Sequence, residues 1–171
     1  MMFAFSAMPP FKEQGCCDGG CACKTSNPPA KLPCPSCGVF GEGVSNLTVY
    51  SLCKKGEKPD IAKDGDDGLA LCMDPACHTA YYNETMNITT SQLKRDIHFK
   101  EDAKEHYICY CLKITRSQVI ETIKTKKLTG MQDIMKELVG PPPCKCEINN
   151  PTGLCCDATF NTLIREVLNA Q

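Results

Sequence analysis

Fifteen of the 171 residues are cysteine, and most of them come in tight pairs. The pairs are Cys34-Pro-Ser-Cys37, Cys72-Met-Asp-Pro-Ala-Cys77, Cys109-Tyr-Cys111, Cys144-Lys-Cys146 and Cys155-Cys156, preceded by the group Cys16-Cys17-Asp-Gly-Gly-Cys21-Ala-Cys23. Thiols held two by two either cross-link the chain or grip metal, and both constrain a fold more than any helix or strand pattern does. A disulfide scaffold is the alternative at this cysteine content. The odd count argues against it, because one thiol is left over. So does the opening Met-Met-Phe-Ala-Phe-Ser-Ala-Met-Pro-Pro, which lacks the basic stretch of a secretory leader. No run approaches the roughly twenty apolar residues that span a bilayer. The expectation is a cytoplasmic chain, without membrane insertion, whose reduced cysteines serve as metal ligands or redox groups.

Cys34-Pro-Ser-Cys37-Gly has the form of a metal knuckle, with a proline and a glycine setting the turn. Cys72 and Cys77, with Pro75 between them, form a second local pair. Four thiolates in two such pairs match a structural zinc site. Between the pairs, Leu47-Thr-Val-Tyr-Ser-Leu52 alternates and predicts a strand, as does Thr79-Ala-Tyr-Tyr after the second knuckle. Asp64-Gly-Asp-Asp-Gly68 predicts a turn, since the rest of a calcium loop is missing. Cys53 is expected to be a small buried hydrophobe. With four cysteines in place, His78 is expected beside the site or exposed, and His98 and His106 in the polar connector from Asp96 to Tyr107 are expected to be solvated.

The second constellation runs from Cys109 to Cys156. A CxC pair ending an extended segment can point both sulfurs at one iron, and a second iron needs two more from Cys144, Cys146, Cys155 and Cys156. The expectation is a [2Fe–2S] centre. Thr115-Arg-Ser-Gln118 is a capping box, so a helix should begin near Arg116 with Val119, Ile120, Ile123 and Leu128 as its apolar stripe. A second helix is predicted from Thr129, burying Met131, Ile134, Met135, Leu138 and Val139 and stopped by Gly140 and three prolines. A last helix, capped by Asp157 or Thr159, should bury Phe160, Leu163, Ile164, Val167 and Leu168.

Ile-Cys109-Tyr-Cys111, the two-helix spacer and Cys146-x3-Asn150-Pro-x-Gly153-x-Cys155-Cys156 resemble the N-terminal domain of CopZ-type copper chaperones, which is related to the bacterioferritin-associated ferredoxin-like [2Fe–2S] fold. Upstream, the knuckles and Tyr81-Tyr82-Asn83 resemble the zinc-binding half of the same family. The resemblance implies that Cys146 and Cys156 join Cys109 and Cys111 on the cluster, while Cys34, Cys37, Cys72 and Cys77 hold Zn2+. It also implies one-electron chemistry, such as reduction of Cu(II) to Cu(I), with a copper ATPase or a redox protein as partner. The heavy-metal-associated module with its MxCxxC loop, usual in full-length chaperones, is absent from this sequence. The tail thiols Cys16, Cys17, Cys21 and Cys23, soft donors with no imidazole among them, suit Cu+ or zinc.

The organisation expected is therefore α+β: a flexible cysteine-rich tail (1–33), a zinc-ribbon-like β module (34–104) and a helical [2Fe–2S]-binding domain (105–171). Net charge is −1 with no long basic run, so nucleic acid is not an expected partner. No cysteine sits in a His–carboxylate pattern and no glycine-rich nucleotide loop occurs, which leaves metal-ion reductase or electron carrier as the most enzymatic roles open. Electron transfer and copper handling stand first. A redox- or iron-sensing module with a structural cluster stands second.

Overall fold

The structure, a computed structural model, describes residues 24–140 and 144–170. Five short strands, β1 (Pro29–Pro33), β2 (Phe40–Gly43), β3 (Ala70–Leu71), β4 (Thr79–Tyr82) and β5 (Asn87–Thr89), pair antiparallel in chain order. The register runs Pro33 to Phe40, Glu42 to Leu71, Leu71 to Tyr81 and Tyr81 to Ile88. Strand β4 is buried along its whole length. Successive side chains point to opposite faces. Tyr81 accordingly packs with Val49, Leu52, Leu71 and Ile88, and Tyr82 packs with Ala30, Ala70, Cys34 and Cys72. At Gly41 a Cβ would run into the Leu71 carbonyl, so only glycine lets β2 approach β3 there.

Two local readings are corrected here. Leu47–Leu52 is not a strand: Asn46–Leu52 is helix α1, started by Ser45, whose hydroxyl accepts the Thr48 N–H. Its buried residues include Asn46, Val49 and Leu52, a spacing of three that fits a helix as well as the alternation fits a strand. Asn46 then fixes the acidic turn, donating to the Ala62 carbonyl (2.7 Å) while its side-chain oxygen accepts the Asp67 N–H (3.2 Å). Pro29–Pro33, inside the stretch expected to be tail, forms β1. Its prolines are tolerated because β1 is an edge strand.

The remaining chain forms a hairpin of β6 (Tyr107–Cys109) and β7 (Ile114–Thr115), then α2 (Arg116–Lys126), α3 (Met131–Leu138), the short α4 (Cys146–Asn149) and α5 (Asp157–Asn169). The Thr115–Gln118 capping box is present, with the Thr115 hydroxyl accepting from the Gln118 N–H and the Gln118 side chain accepting from the Thr115 N–H. Val119, Ile123, Met131, Ile134, Met135, Phe160, Leu163, Ile164 and Val167 make one core. Helix α3 starts after Gly130 rather than at Thr129 and ends at Leu138. Val139 leaves helical geometry and is 57% exposed, not inward. The N-cap of α5 is Cys156, ahead of both expected caps, and Asp157 lies in the first turn, its carboxylate accepting the Ala158 N–H.

The two halves meet along α1 and α4. The Thr48 hydroxyl donates to the Glu147 carbonyl (2.8 Å), and Tyr81 OH donates to the Pro151 carbonyl (2.7 Å). Gly153, in left-handed conformation (φ 71°), sits against Thr48, where a Cβ would come within 2.7 Å of the hydroxyl.

Candidate metal centres

Cys34 closes β1 and opens a tight turn. Its N–H donates to the Val39 carbonyl, and its own carbonyl accepts from Gly38, a residue at φ 78°. Cys72 follows β3, its N–H on the Ala80 carbonyl, and Cys77 closes a turn onto Asp74 before β4. Sheet pairing thus brings the two knuckles together. The Cys37 and Cys72 sulfurs are 3.7 Å apart, those of Cys34 and Cys77 4.0 Å, and all four lie within 4.8 Å of one another. Thiolates at about 2.3 Å from a tetrahedral zinc stand about 3.8 Å apart, so this donor set fits one zinc ion. As bare thiols Cys34 and Cys72 do not ionise together. Burial lifts Cys72 to about 12, whereas Cys34, in spite of its own burial, is held at about 7 by the N–H groups of Ser36 and Cys37. A divalent cation bound by the four sulfurs would hold them as thiolates and remove the conflict.

The neighbours expected to stand aside do so. Cys53 is fully buried, and burial pushes its thiol up to about 11. His78 points to solvent, with Asp102 3.2 Å from its Nδ1. His106 is exposed, but His98 is not simply solvated. It is half-buried against Phe99 and Tyr110, and its Nδ1 is buried without a hydrogen-bond partner.

The second set gathers from three elements. Cys109 and Cys111 sit at the tip of the β6–β7 hairpin, Cys146 opens α4, and Cys155 and Cys156 precede α5. Cys109, Cys146, Cys155 and Cys156 are buried and Cys111 is half-buried. The Cys111 and Cys146 sulfurs are 3.9 Å apart. The Cys109 thiol pairs with that of Cys156, which also meets Cys146 and Cys155. Each CxC thiol therefore has a partner from the far side, Cys146 for Cys111 and Cys156 for Cys109. Cys111 and Cys156 hold Cys146 down at about 3, and in return the neighbouring thiols push Cys111 and Cys156 up.

Of the two sulfurs left open in Cys144-Lys-Cys146, the one facing Cys111 is Cys146. Cys144 has a left-handed backbone (φ 46°) and its sulfur is engaged in a disulfide. Two further contacts escaped the sequence reading. Asn149, one turn along α4, aims its side-chain N–H at the Cys111 sulfur (3.7 Å). Cys155 donates its backbone N–H to the Lys24 carbonyl (2.9 Å), fastening the start of the described chain to this site. Neither leaves a trace in spacing, because both depend on where loops land. Cys16, Cys17, Cys21 and Cys23 lie outside the described residues.

No helix among the described residues is long and apolar enough to cross a membrane. Residues 31–94, which include all four sulfurs of the first site, match the family profile of the CopZ-type zinc binding domain (zf_CopZ). The chain is similar to the copper chaperone CopZ of Archaeoglobus fulgidus, at 29% identity over 126 residues, covering 73% of this chain and 58% of that protein's length. The chain thus matches little more than half of that relative. Its fold is similar to the crystal structure of the Archaeoglobus fulgidus CopZ N-terminal domain, with a TM-score of 0.61 and 26% identity, covering 77% of this chain and 97% of that one.

Proposed function

We propose that this chain is a metal-handling electron carrier in which residues 34–104 hold one structural zinc and residues 105–171 hold one [2Fe–2S] centre. Cys34, Cys37, Cys72 and Cys77 are the zinc ligands; Cys109, Cys111, Cys146 and Cys156 are the cluster ligands. Copper is the cargo, and a copper ATPase or a redox protein is the partner. The observation that carries the cluster half is the shape of its thiol set. Among the described residues only the zinc quartet closes to within 4.8 Å. The second set is strung out instead, Cys111 to Cys146 to Cys156 to Cys109, a spread that suits two metals side by side better than one.

Bound there, a [2Fe–2S] centre supplies one-electron chemistry whose potential follows hydrogen bonding, charge and exposure. The protein's part is to make added negative charge tolerable. Asn149 donates to the Cys111 sulfur. The positive end of α5 starts at Cys156, where negative charge is favoured. The apolar core around Val119, Ile134 and Phe160 keeps water from the back of the hairpin. The cargo ligands in this reading are drawn from Cys16, Cys17, Cys21 and Cys23. They are all-thiolate donors suited to a soft monovalent ion. The segment that carries them joins the described chain one residue after Cys23, at Lys24, whose carbonyl is bonded to Cys155.

Metal analysis and spectroscopy of anaerobically purified protein test this. About two iron and one zinc per chain are expected, with visible absorption bleached by dithionite. Cys109→Ser or Cys156→Ser should abolish the colour, while Cys53→Ser and Cys155→Ser should keep it. A chain that stays colourless after anaerobic reconstitution with iron and sulfide sinks the electron-transfer half. A coloured centre that cannot be cycled reversibly moves the function to sensing.

A further inference from the structure

Lys100 is a buried charge that no ion pair explains. It is 1% exposed, although lysine is almost never fully buried unless paired. Among the described residues no carboxylate lies within ion-pair range of it. Its Nζ donates instead to the carbonyls of Asp74 (2.7 Å) and Cys77 (2.9 Å), with the Phe99 ring centroid 5.8 Å away. The Asp74 carboxylate is occupied within its own turn, accepting the Ala76 N–H. Two carbonyls satisfy hydrogen bonds without neutralising charge, so the desolvation of the ammonium stays largely unbalanced.

Both carbonyls belong to the turn that ends in Cys77. The next residue reinforces the contact, as the Glu101 N–H donates to the Pro75 carbonyl (3.0 Å). Three carbonyls of the second knuckle are thus held by a segment far from either cysteine pair. Four thiolates on one zinc ion leave an excess of two negative charges in an apolar setting. A buried cation and a buried anionic centre share one turn, and each is the partner that the other lacks.

We propose that Lys100 is the counter-charge of the Cys34–Cys37–Cys72–Cys77 centre: a positioning residue that fixes the Cys77 turn and offsets the surplus charge of its thiolates. This rests on the reading of that centre as a zinc site. Removing the charge leaves the four ligands in place but makes the fully deprotonated set harder to keep, so zinc binds less tightly. Outer-shell partners of metal ligands act in this way on affinity.

The test is zinc competition against a chelator with the full chain, in wild type and in Lys100→Met, Lys100→Gln and Lys100→Arg. Met keeps the stem without the charge, Gln keeps a donor without the charge, and Arg keeps both. Met and Gln should bind zinc roughly 10- to 100-fold more weakly, and Arg within a few-fold of wild type. Cobalt substitution adds a readout that loosened packing alone would not move. Loss of a nearby cation raises the thiolate donor levels, so the sulfur-to-cobalt charge-transfer band should shift to lower energy in Met and Gln but not in Arg. Should Met fail to fold, the contrast of Gln with Arg decides. Equal zinc affinity and an unmoved cobalt band across all variants overturn the counter-charge. A wild-type chain that binds no zinc sinks the centre itself and this proposal with it.

Discussion

The two sulfur sites of this chain are built in opposite ways. The first is made by a sheet: its knuckles sit at strand ends, and pairing of β2, β3 and β4 closes four sulfurs to within 4.8 Å of one another. The second is made by packing: a hairpin tip and the cap of α5 sit on the core of α2, α3 and α5, and a four-residue helix is brought to them by α1 of the other half. The sheet half has a core of its own around Val49, Leu52, Leu71 and Tyr81, but its second, smaller apolar cluster is built on Cys34 and Cys72 themselves. The helical half has a single larger core, in which Val119, Ile123, Phe160, Leu163 and Ile164 are buried almost completely alongside Cys109, Cys155 and Cys156. Metal should therefore matter most to the Cys34–Cys72 cluster of the first half, whose other buried members are Ala30, Ala70 and Tyr82.

The largest expected effect breaks that contrast directly. Cys72→Ser should remove zinc and unfold the sheet half, since the binding free energy of a structural zinc, on the order of 10 kcal/mol, is folding free energy. Amide exchange resolved by segment is the measurement. Protection should collapse at β2–β4 and persist at Phe160–Val167. Equal loss in both halves would show one cooperative unit instead of two.

A middle-sized effect tests the seam. Gly153→Ala places a side chain at φ 71° and against the Thr48 hydroxyl, which should cost about 2 kcal/mol in thermal or denaturant unfolding. Zinc content should be unchanged. If stability does not move, the α1–α4 contact is not what ties the halves together.

The smallest effect concerns pH. Burial, with the charge of His106 second, depresses His98 below its usual 6.5. The unfolded chain then binds the extra proton first. The contribution of a neutral His98 is complete above about pH 6.5 and is lost as pH falls toward its depressed value. His98→Gln should flatten this part of the stability profile between pH 7 and 5 relative to wild type. Parallel profiles would show that His98 does not set this part of the acid sensitivity.

Spacing within the chain was enough to identify both cysteine knuckles, the Thr115–Gln118 cap and the core stripes of α2 and α5, because each is a local pattern of a few residues. It was not enough for Leu47–Leu52, where six residues satisfy two periodicities and the Ser45 cap decides between them. Nor did it reveal β1, where proline argues against a strand and only the edge position permits one.

Which residues are sulfur donors was thus written in the sequence, since ligand chemistry is a property of residue type and close spacing. Which sulfurs face each other was decided by the tertiary structure, and so were the contacts of Asn149, Lys100 and Cys155. Hydrogen bonds and charges that act between segments tens of residues apart depend on where the chain folds back, and no local pattern encodes that position.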